Sequence, residues 1–252
     1  MKYIYGPVPS WRLGRSLGVD LVSGKKTCTF DCIYCQLGKT VRHIVKREIF
    51  VPTSEIVKEL DSLPEQDIDY VTLSGTGEPT LASNLGEVII EIKKRFKKPV
   101  AVLTNSSLFH DPLVRKELSL ADLVVAKLDA PNEEIFKIVN KPTNGISFGI
   151  ILEGIRKLNK EYPGKLALQM MFVPQNKDHA EQMAALAKDI APVEVQINTP
   201  LRPSPVKSLS KEELSKIEKL FKPLKVYSVY DVERPETKPM DMEETLRRRP
   251  QI

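Results

Sequence analysis

The sequence predicts an α/β fold, a partial (βα)6 TIM-type barrel built on an open, parallel sheet. Two observations lead there. Short β-branched apolar runs alternate with amphipathic helical stretches along the chain, and about six such strands are legible where a closed barrel needs eight. Alternation makes neighbouring strands parallel and their crossovers right-handed. A doubly wound sheet is the second reading; either architecture puts a ligand at the C-terminal ends of the strands.

In chain order, strands are expected at 18–22, 69–73, 100–103, 122–127, 165–171 and 193–197, with a seventh at 225–229. The intervening helices carry start signals. These are Thr53 or Ser54, Ser83 or Asn84, Asp111-Pro112, Asn132, Ser147, Asp178, and Ser210 with Glu213 as a capping box. No fixed-period repeat and no linker divides the chain, so residues 1–232 read as one domain. From 233 onward a Pro-rich, charged segment reads as a C-terminal tail or flap.

Composition narrows the class. The 252 residues are 41% apolar and 28% charged, a globular mix that argues against a disordered or fibrous chain. No apolar run reaches the roughly 18–20 residues a bilayer demands, and the opening MKYIYGPVPSWR has no signal-peptide core, so a cytoplasmic protein without membrane contact is expected. The three cysteines are odd in number and lie between 28 and 35, which does not suit a disulfide framework.

Those cysteines form the most informative segment, Thr27-Cys28-Thr29-Phe30-Asp31-Cys32-Ile33-Tyr34-Cys35-Gln36. Three soft thiolates from one loop suit iron or zinc, and the absence of a fourth nearby cysteine leaves one coordination position open on an iron-sulfur cluster. A zinc knuckle completed by His43 and three inert buried thiols are the competing readings.

Cys28, Cys32 and Cys35, with Tyr34 before the last cysteine, resemble the signature of the radical S-adenosylmethionine (SAM) enzymes. The resemblance implies that the three cysteines are the metal ligands and catalytic core of a single [4Fe-4S] cluster whose fourth iron is chelated by SAM. One electron would then cleave the sulfonium bond, giving methionine and a 5′-deoxyadenosyl radical that takes hydrogen from a substrate. Phe30, Ile33 and Tyr34 would supply apolar wall around that chemistry. An external electron donor of flavodoxin or ferredoxin type is implied as partner.

Further segments carry the same resemblance. Gly75-Thr76-Gly77-Glu78-Pro79 is similar to the family's Gly-Gly-Glu-Pro motif, implying that Gly75, Gly77 and Glu78 receive the SAM ammonium; glycines permit close approach and a carboxylate suits a cation. Thr104-Asn105 and Lys127-Leu128-Asp129 are similar to positions that touch the SAM carboxylate and ribose. Lys127 stands where many relatives carry Ser, and Asp129 also reads as a helix N-cap. Met170, Met171 and Pro200 fall where the family shields adenine, but each reads first as a core or turn residue and only second as a contact. The segment 5–20 resembles a subgroup of small [4Fe-4S] proteins related to the enzymes of wyosine synthesis, although Trp11 replaces the usual Arg.

The substrate is less legible. Net charge is only +5, with basic runs at 93–98 and 247–249 that suit either a phosphate backbone or a solvated surface. Arg12 and Arg15 read as candidate substrate-anion contacts or as solvated loop cations. An RNA base or nucleoside-like metabolite is the first substrate reading, a glycyl-radical-activating enzyme the second, and a zinc-stabilised module without chemistry the third.

Overall fold

In a computed structural model describing residues 2–250, the apolar runs pair edge to edge and the amphipathic helices cover the sheet. The strands are β1 (Ile4–Ser10), β2 (Gly14–Val19), β3 (Thr27–Cys28), β4 (Arg42–His43), β5 (Tyr70–Leu73), β6 (Val100–Thr104), β7 (Leu123–Lys127), β8 (Leu166–Met171), β9 (Glu194–Asn198) and β10 (Val226–Ser228). The helices are α1 (Thr53–Asp61), α2 (Leu85–Arg95), α3 (Pro112–Leu118), α4 (Glu133–Val139), α5 (Phe148–Glu161), α6 (Ala180–Ile190), α7 (Lys211–Leu220) and α8 (Met242–Arg248). Eight strands form one sheet in the order β1-β2-β5-β6-β7-β8-β9-β10, and β3 with β4 makes a separate short pair. From β2 to β10 every pairing is parallel; β1 and β10 are the two edges, so the curled sheet stays open as a half-barrel.

Burial on both faces explains the strand composition. All six residues of β8 are buried, as expected when helices cover one face and the barrel interior the other. Helix α2 turns Val88, Ile89 and Ile92 onto the sheet, and each such side chain contributes about 1.5–3 kcal/mol on full burial. Asp111, Asn132 and Ser147 cap their helices as expected, and Ser210 and Glu213 form the capping box. Thr53 and Asn84 do not cap. Their side chains bond to each other and to Val51 and Glu87, tying α1 to α2. A 3-10 turn at Lys177–His179 delays the helix expected from Asp178 to α6.

The N-terminus departs from expectation. The strand expected at 18–22 runs from Gly14 to Val19, preceded by an antiparallel partner, β1. Gly6, Pro7 and Pro9 hide that partner from a propensity reading; proline is tolerated there because β1 is an edge strand. The chain after 233 returns to this edge. Met240 N donates to Gly6 O (2.8 Å), Gly6 N donates to Thr245 Oγ1 (3.0 Å), and α8 rests on β1. No helix among the described residues is long and apolar enough to cross a membrane.

Candidate active site

A cavity of about 300 Å³ opens at the C-terminal ends of the strands, where Ser74, Thr104, Lys127, Met171, Asn198 and Val229 line it. Cys28, Cys32, Cys35, Tyr34, Gly77, Glu78 and Asn105 line the same space. Residues far apart in sequence therefore meet in one place. Met171 and Pro200 also reach it, whereas Met170 is fully buried in the core.

The cysteine loop is held from two sides. On one, Asp31 N donates to Asn140 O (3.1 Å), Ile33 N to Val139 O (3.0 Å) and Thr143 N to Thr29 O (2.8 Å), docking the loop on the C-terminal end of α4. On the other, Glu78 N donates to Thr27 O (3.1 Å). Weak N–H donors reach two sulfurs at 3.5 Å: Phe30 N and Asn105 Nδ2 at Cys28 Sγ, and Asn140 Nδ2 at Cys32 Sγ. Burial, with Glu78 and Cys32 adding to it, pushes the Cys28 thiol far up; burial, then Asp129, pushes Cys32 to about 11. These thiols stay protonated until a metal supplies the opposing charge.

The Gly75–Pro79 turn uses its glycines against protein. A Cβ on Gly75 would lie 2.1 Å from Asp20 Cγ, and one on Gly77 would lie 2.0 Å from Thr27 O. Both glycines therefore let this turn sit directly on the β2 end and the cysteine loop. Thr76 N and Oγ1 donate to Asp20 Oδ2 (3.1 and 3.0 Å). Glu78 is buried and heavily bonded. Its Oε1 accepts from Thr80 N (3.1 Å), Thr80 Oγ1 (2.7 Å) and Thr104 Oγ1 (2.6 Å), and its Oε2 from Asn105 N (2.7 Å). Burial raises its pKa against those hydrogen bonds. It is the only carboxylate among the cavity-lining side chains of the described residues.

Asn105 turns its amide to the cysteine loop, donating to Thr29 Oγ1 at 2.7 Å. Ser106 follows with φ +70°, a left-handed conformation held by Thr104 Oγ1 and Lys127 O. Lys127 faces the cavity with Nζ 4.8 Å over the Tyr34 ring and 3.5 Å from Asp129 Oδ2. Asp129 lies behind that wall: Oδ2 accepts from Tyr34 OH and from Asn140 Nδ2 (3.0 Å), and Oδ1 from Met171 N (2.8 Å). It lines a smaller adjoining pocket, while Asn132 caps α4. Burial, then Asp129, raises the Tyr34 phenol well above its usual range.

Cations line the same cavity. Arg12, from the β1–β2 hairpin, reaches the cavity beside Trp11, while Arg15 turns away to Asp67 and Asp69. Arg202, Arg234 and Arg249 join Arg12, and none of these three is among the site residues expected from sequence. Arg202 follows Pro200 by two residues, so its place just past a strand end was a usable signal. Arg249 stands in the basic run 247–249, but nothing local places it in the cavity, because only the return of α8 brings it here. Its neighbour Arg248 is fully buried, pairing with Asp20 at 2.8 Å and with Glu244.

The donor set fits an iron-sulfur cluster. Three thiols from one loop line the cavity with N–H donors on two of them, matching the soft ligation and sulfur hydrogen bonding such clusters use. Among the described residues no three His, Cys, Asp or Glu side chains gather as the ligands of one ion, and cysteines that bind different irons of a cluster need not do so.

Residues 23–187 match the model of the radical SAM superfamily. A UPF0026 protein of Synechocystis is 45% identical over 204 residues, covering 81% of this chain and 77% of that protein. A probable GTP 3′,8-cyclase of Saccharolobus islandicus is 27% identical over 172 residues, 68% of this chain and 52% of its own length. The solved structure of Streptococcus suis SuiB bound to S-adenosylmethionine shares the fold at a TM-score of 0.64 and 12% identity, covering 86% of this chain. The chain spans about half the length of both the cyclase and SuiB, 52% and 50%.

Proposed function

This chain belongs to the radical SAM superfamily and, within it, to the UPF0026 proteins, and from that premise we propose that it acts on a small nucleoside-like anion. In this reading Cys28, Cys32 and Cys35 hold a [4Fe-4S] cluster, Glu78 and the Gly75–Gly77 backbone receive the SAM ammonium, and Lys127 pairs with the SAM carboxylate. When bound, the cluster and SAM supply one-electron cleavage of the sulfonium bond to methionine and a 5′-deoxyadenosyl radical, which takes one hydrogen atom from the substrate. An external one-electron donor completes the balance.

The protein's own part is positioning and exclusion of water. Thr104, Asn105 and Thr80 hold Glu78 in one orientation, so its carboxylate needs no rearrangement to meet a cation. Tyr34 is fixed through its hydroxyl to Asp129 and presents its ring to the cavity, with Leu103 and Met171 adding apolar wall. The assignment rests chiefly on one observation: the three cysteines and Glu78 line a single cavity at the strand ends. The nucleoside-like substrate is supported by the similarity to a probable GTP 3′,8-cyclase and by the cations facing the cavity.

Anaerobic reconstitution tests the reading. We expect about four irons per chain, an electron paramagnetic resonance signal altered by SAM, and 5′-deoxyadenosine formation under a reductant, all lost in Cys32→Ala. One zinc per chain with no SAM cleavage would overturn it. For the substrate, a panel of nucleosides and nucleotides should raise 5′-deoxyadenosine formation above the background rate. Stimulation only by a protein partner that acquires a modification would favour a protein-modifying enzyme instead.

A further inference from the structure

From the arginine wall we infer that the cavity contains a phosphate-binding subsite formed by Arg12, Arg202 and Arg249, with Arg234 at its rim, and that the substrate is a small phosphorylated molecule. The inference rests on the enzyme reading above and names the substrate class for that same cavity.

The charge balance carries it. Five cationic side chains line the space, Arg12, Lys127, Arg202, Arg234 and Arg249, and Glu78 is the one carboxylate lining it among the described residues, with Asp129 beside Lys127 behind the wall. Glu78 and Lys127 are taken up by the SAM ammonium and carboxylate. A cluster on three thiolates carries about one net negative charge and SAM about one positive, so the resident groups cancel and leave the arginines uncompensated.

Arg12 is the clearest case. Its Nε and Nη1 are shielded from solvent and have no hydrogen-bond partner among the described residues, although an unmet buried donor is costly. It is held by stacking on Trp11, 5.3 Å from the ring. Burial, then Arg249 and Arg202, pulls its guanidinium down to about 9; burial, then Arg249 and Arg234, pulls Arg202 to about 10. Both remain charged at neutral pH, so the wall is a set of mutually repelling cations.

The neighbours hold these cations without neutralising them. Arg202 Nη1 donates to Gln36 Oε1 (3.1 Å), and Gln36 is adjacent to Cys35. Arg249 Nη2 donates to Ser74 Oγ (2.9 Å), and its guanidinium lies 5.5 Å from the Tyr5 ring. Each partner is neutral, so the forks keep their charge and donors for a ligand. Planar guanidinium forks match tetrahedral phosphate oxygens in pairs, and three from separate segments suit one phosphate or a diphosphate.

A small molecule is favoured over a nucleic acid. The wall lies inside a cavity, and only Arg234 is exposed. In the surface run at 93–98 three of the five cations are already paired, Lys93 with Asp122, Lys94 with Glu91, and Arg95 with Asp61 and Glu91, which leaves Lys97 and Lys98 as a short track for a phosphate backbone. Arg248, in the other basic run, is buried against Asp20.

Inorganic pyrophosphate is the probe, titrated calorimetrically into the full chain both as purified and after cluster reconstitution with SAM. We expect saturable one-site binding in both forms. Arg12→Gln and Arg202→Gln should each weaken it about ten- to hundred-fold, Arg12→Lys less, and the surface control Lys93→Gln not at all. Arg12→Gln should also raise the thermal midpoint in the absence of anion, because it relieves repulsion from Arg249 and Arg202, an effect a merely structural arginine would not give. No pyrophosphate binding by the wild type, or binding unchanged in Arg12→Gln, would overturn the subsite. A single-stranded oligonucleotide binding more tightly than pyrophosphate, with a steep salt slope, would overturn the small-molecule assignment. Iron content and SAM cleavage are measured on the same samples. Failed anion binding with intact SAM cleavage refutes the subsite alone, and anion binding without iron uptake or SAM cleavage refutes the enzyme reading alone.

Discussion

Arg248→Met should be among the most destabilising single substitutions near the site, although Arg248 stands in a run of three arginines, 247–249. Arg248 is 0% exposed and its partner Asp20 only 1%. Nε donates to Asp20 Oδ2 at 2.8 Å, and the remaining donors reach Glu244, Lys2 O and Ser23 Oγ. Burial works against the charge, yet Asp20 and Glu244 outweigh it and raise the Arg248 pKa. Methionine would leave Asp20 buried without a cation. Removing one side of a buried pair costs about 3–5 kcal/mol, and we place this case near 3 because Thr76 N, Thr76 Oγ1 and Val22 N still donate to the carboxylate. Removing both charges is far cheaper, so Asp20→Asn combined with Arg248→Met should be more stable than Arg248→Met by at least about 1 kcal/mol. Urea unfolding of the four chains of this cycle, followed by far-ultraviolet circular dichroism, reads both values. A loss below about 1 kcal/mol in Arg248→Met, or a double variant that loses the full sum of the two singles, would refute the pairing argument.

Three further outcomes follow from the geometry. Gly77→Ala should cost about 1–3 kcal/mol and lower iron uptake on reconstitution, since its Cβ would stand 2.0 Å from the Thr27 carbonyl, whereas Gly149→Ala, in open space on α5, should be neutral or mildly stabilising; thermal melts with iron assays compare them. Tyr34→Ala should weaken SAM binding while leaving iron content near wild type, and Tyr34→Phe should cost about 1–2 kcal/mol by removing one donor from buried Asp129; equilibrium SAM binding and urea unfolding measure these. Arg15 donates to Asp69 through its backbone N, Nε and Nη2, and these hydrogen bonds hold the Asp69 carboxyl down at about 2. A depressed carboxylate stabilises above its unfolded value near 3.9 and loses that contribution as pH falls through about 2. With the Asp69 side chain 37% exposed, solvent screening limits the effect to about 1 kcal/mol, and unfolding free energies between pH 2 and 5 should show a slope that Asp69→Asn reduces.

Much of the molecule could be read from local pattern, because local pattern reports local physics. Alternation of apolar runs and amphipathic helices implied the parallel half-barrel, and the caps at Asp111, Asn132, Ser147 and Ser210 act within one turn of chain. The cysteine spacing and the Gly75–Pro79 turn were visible because each is one short loop, and both reach the cavity at the strand ends through Cys28, Cys32, Cys35, Gly77 and Glu78. What escaped depends on contacts between distant residues. The edge strand β1 is masked by its prolines and exists through pairing with β2. Asp129 is drawn behind the cavity wall by Tyr34, Asn140 and the Met171 amide, none adjacent to it in sequence. Arg12 and Arg15, three residues apart, part because the hairpin turns one toward the cavity and leaves the other beside Asp69. Charge counting gave +5 and no location. Only the return of α8 to the first strand, locked by Arg248 and Asp20, brings Arg249 against Arg12 and Arg202 and turns a weak net charge into a concentrated one.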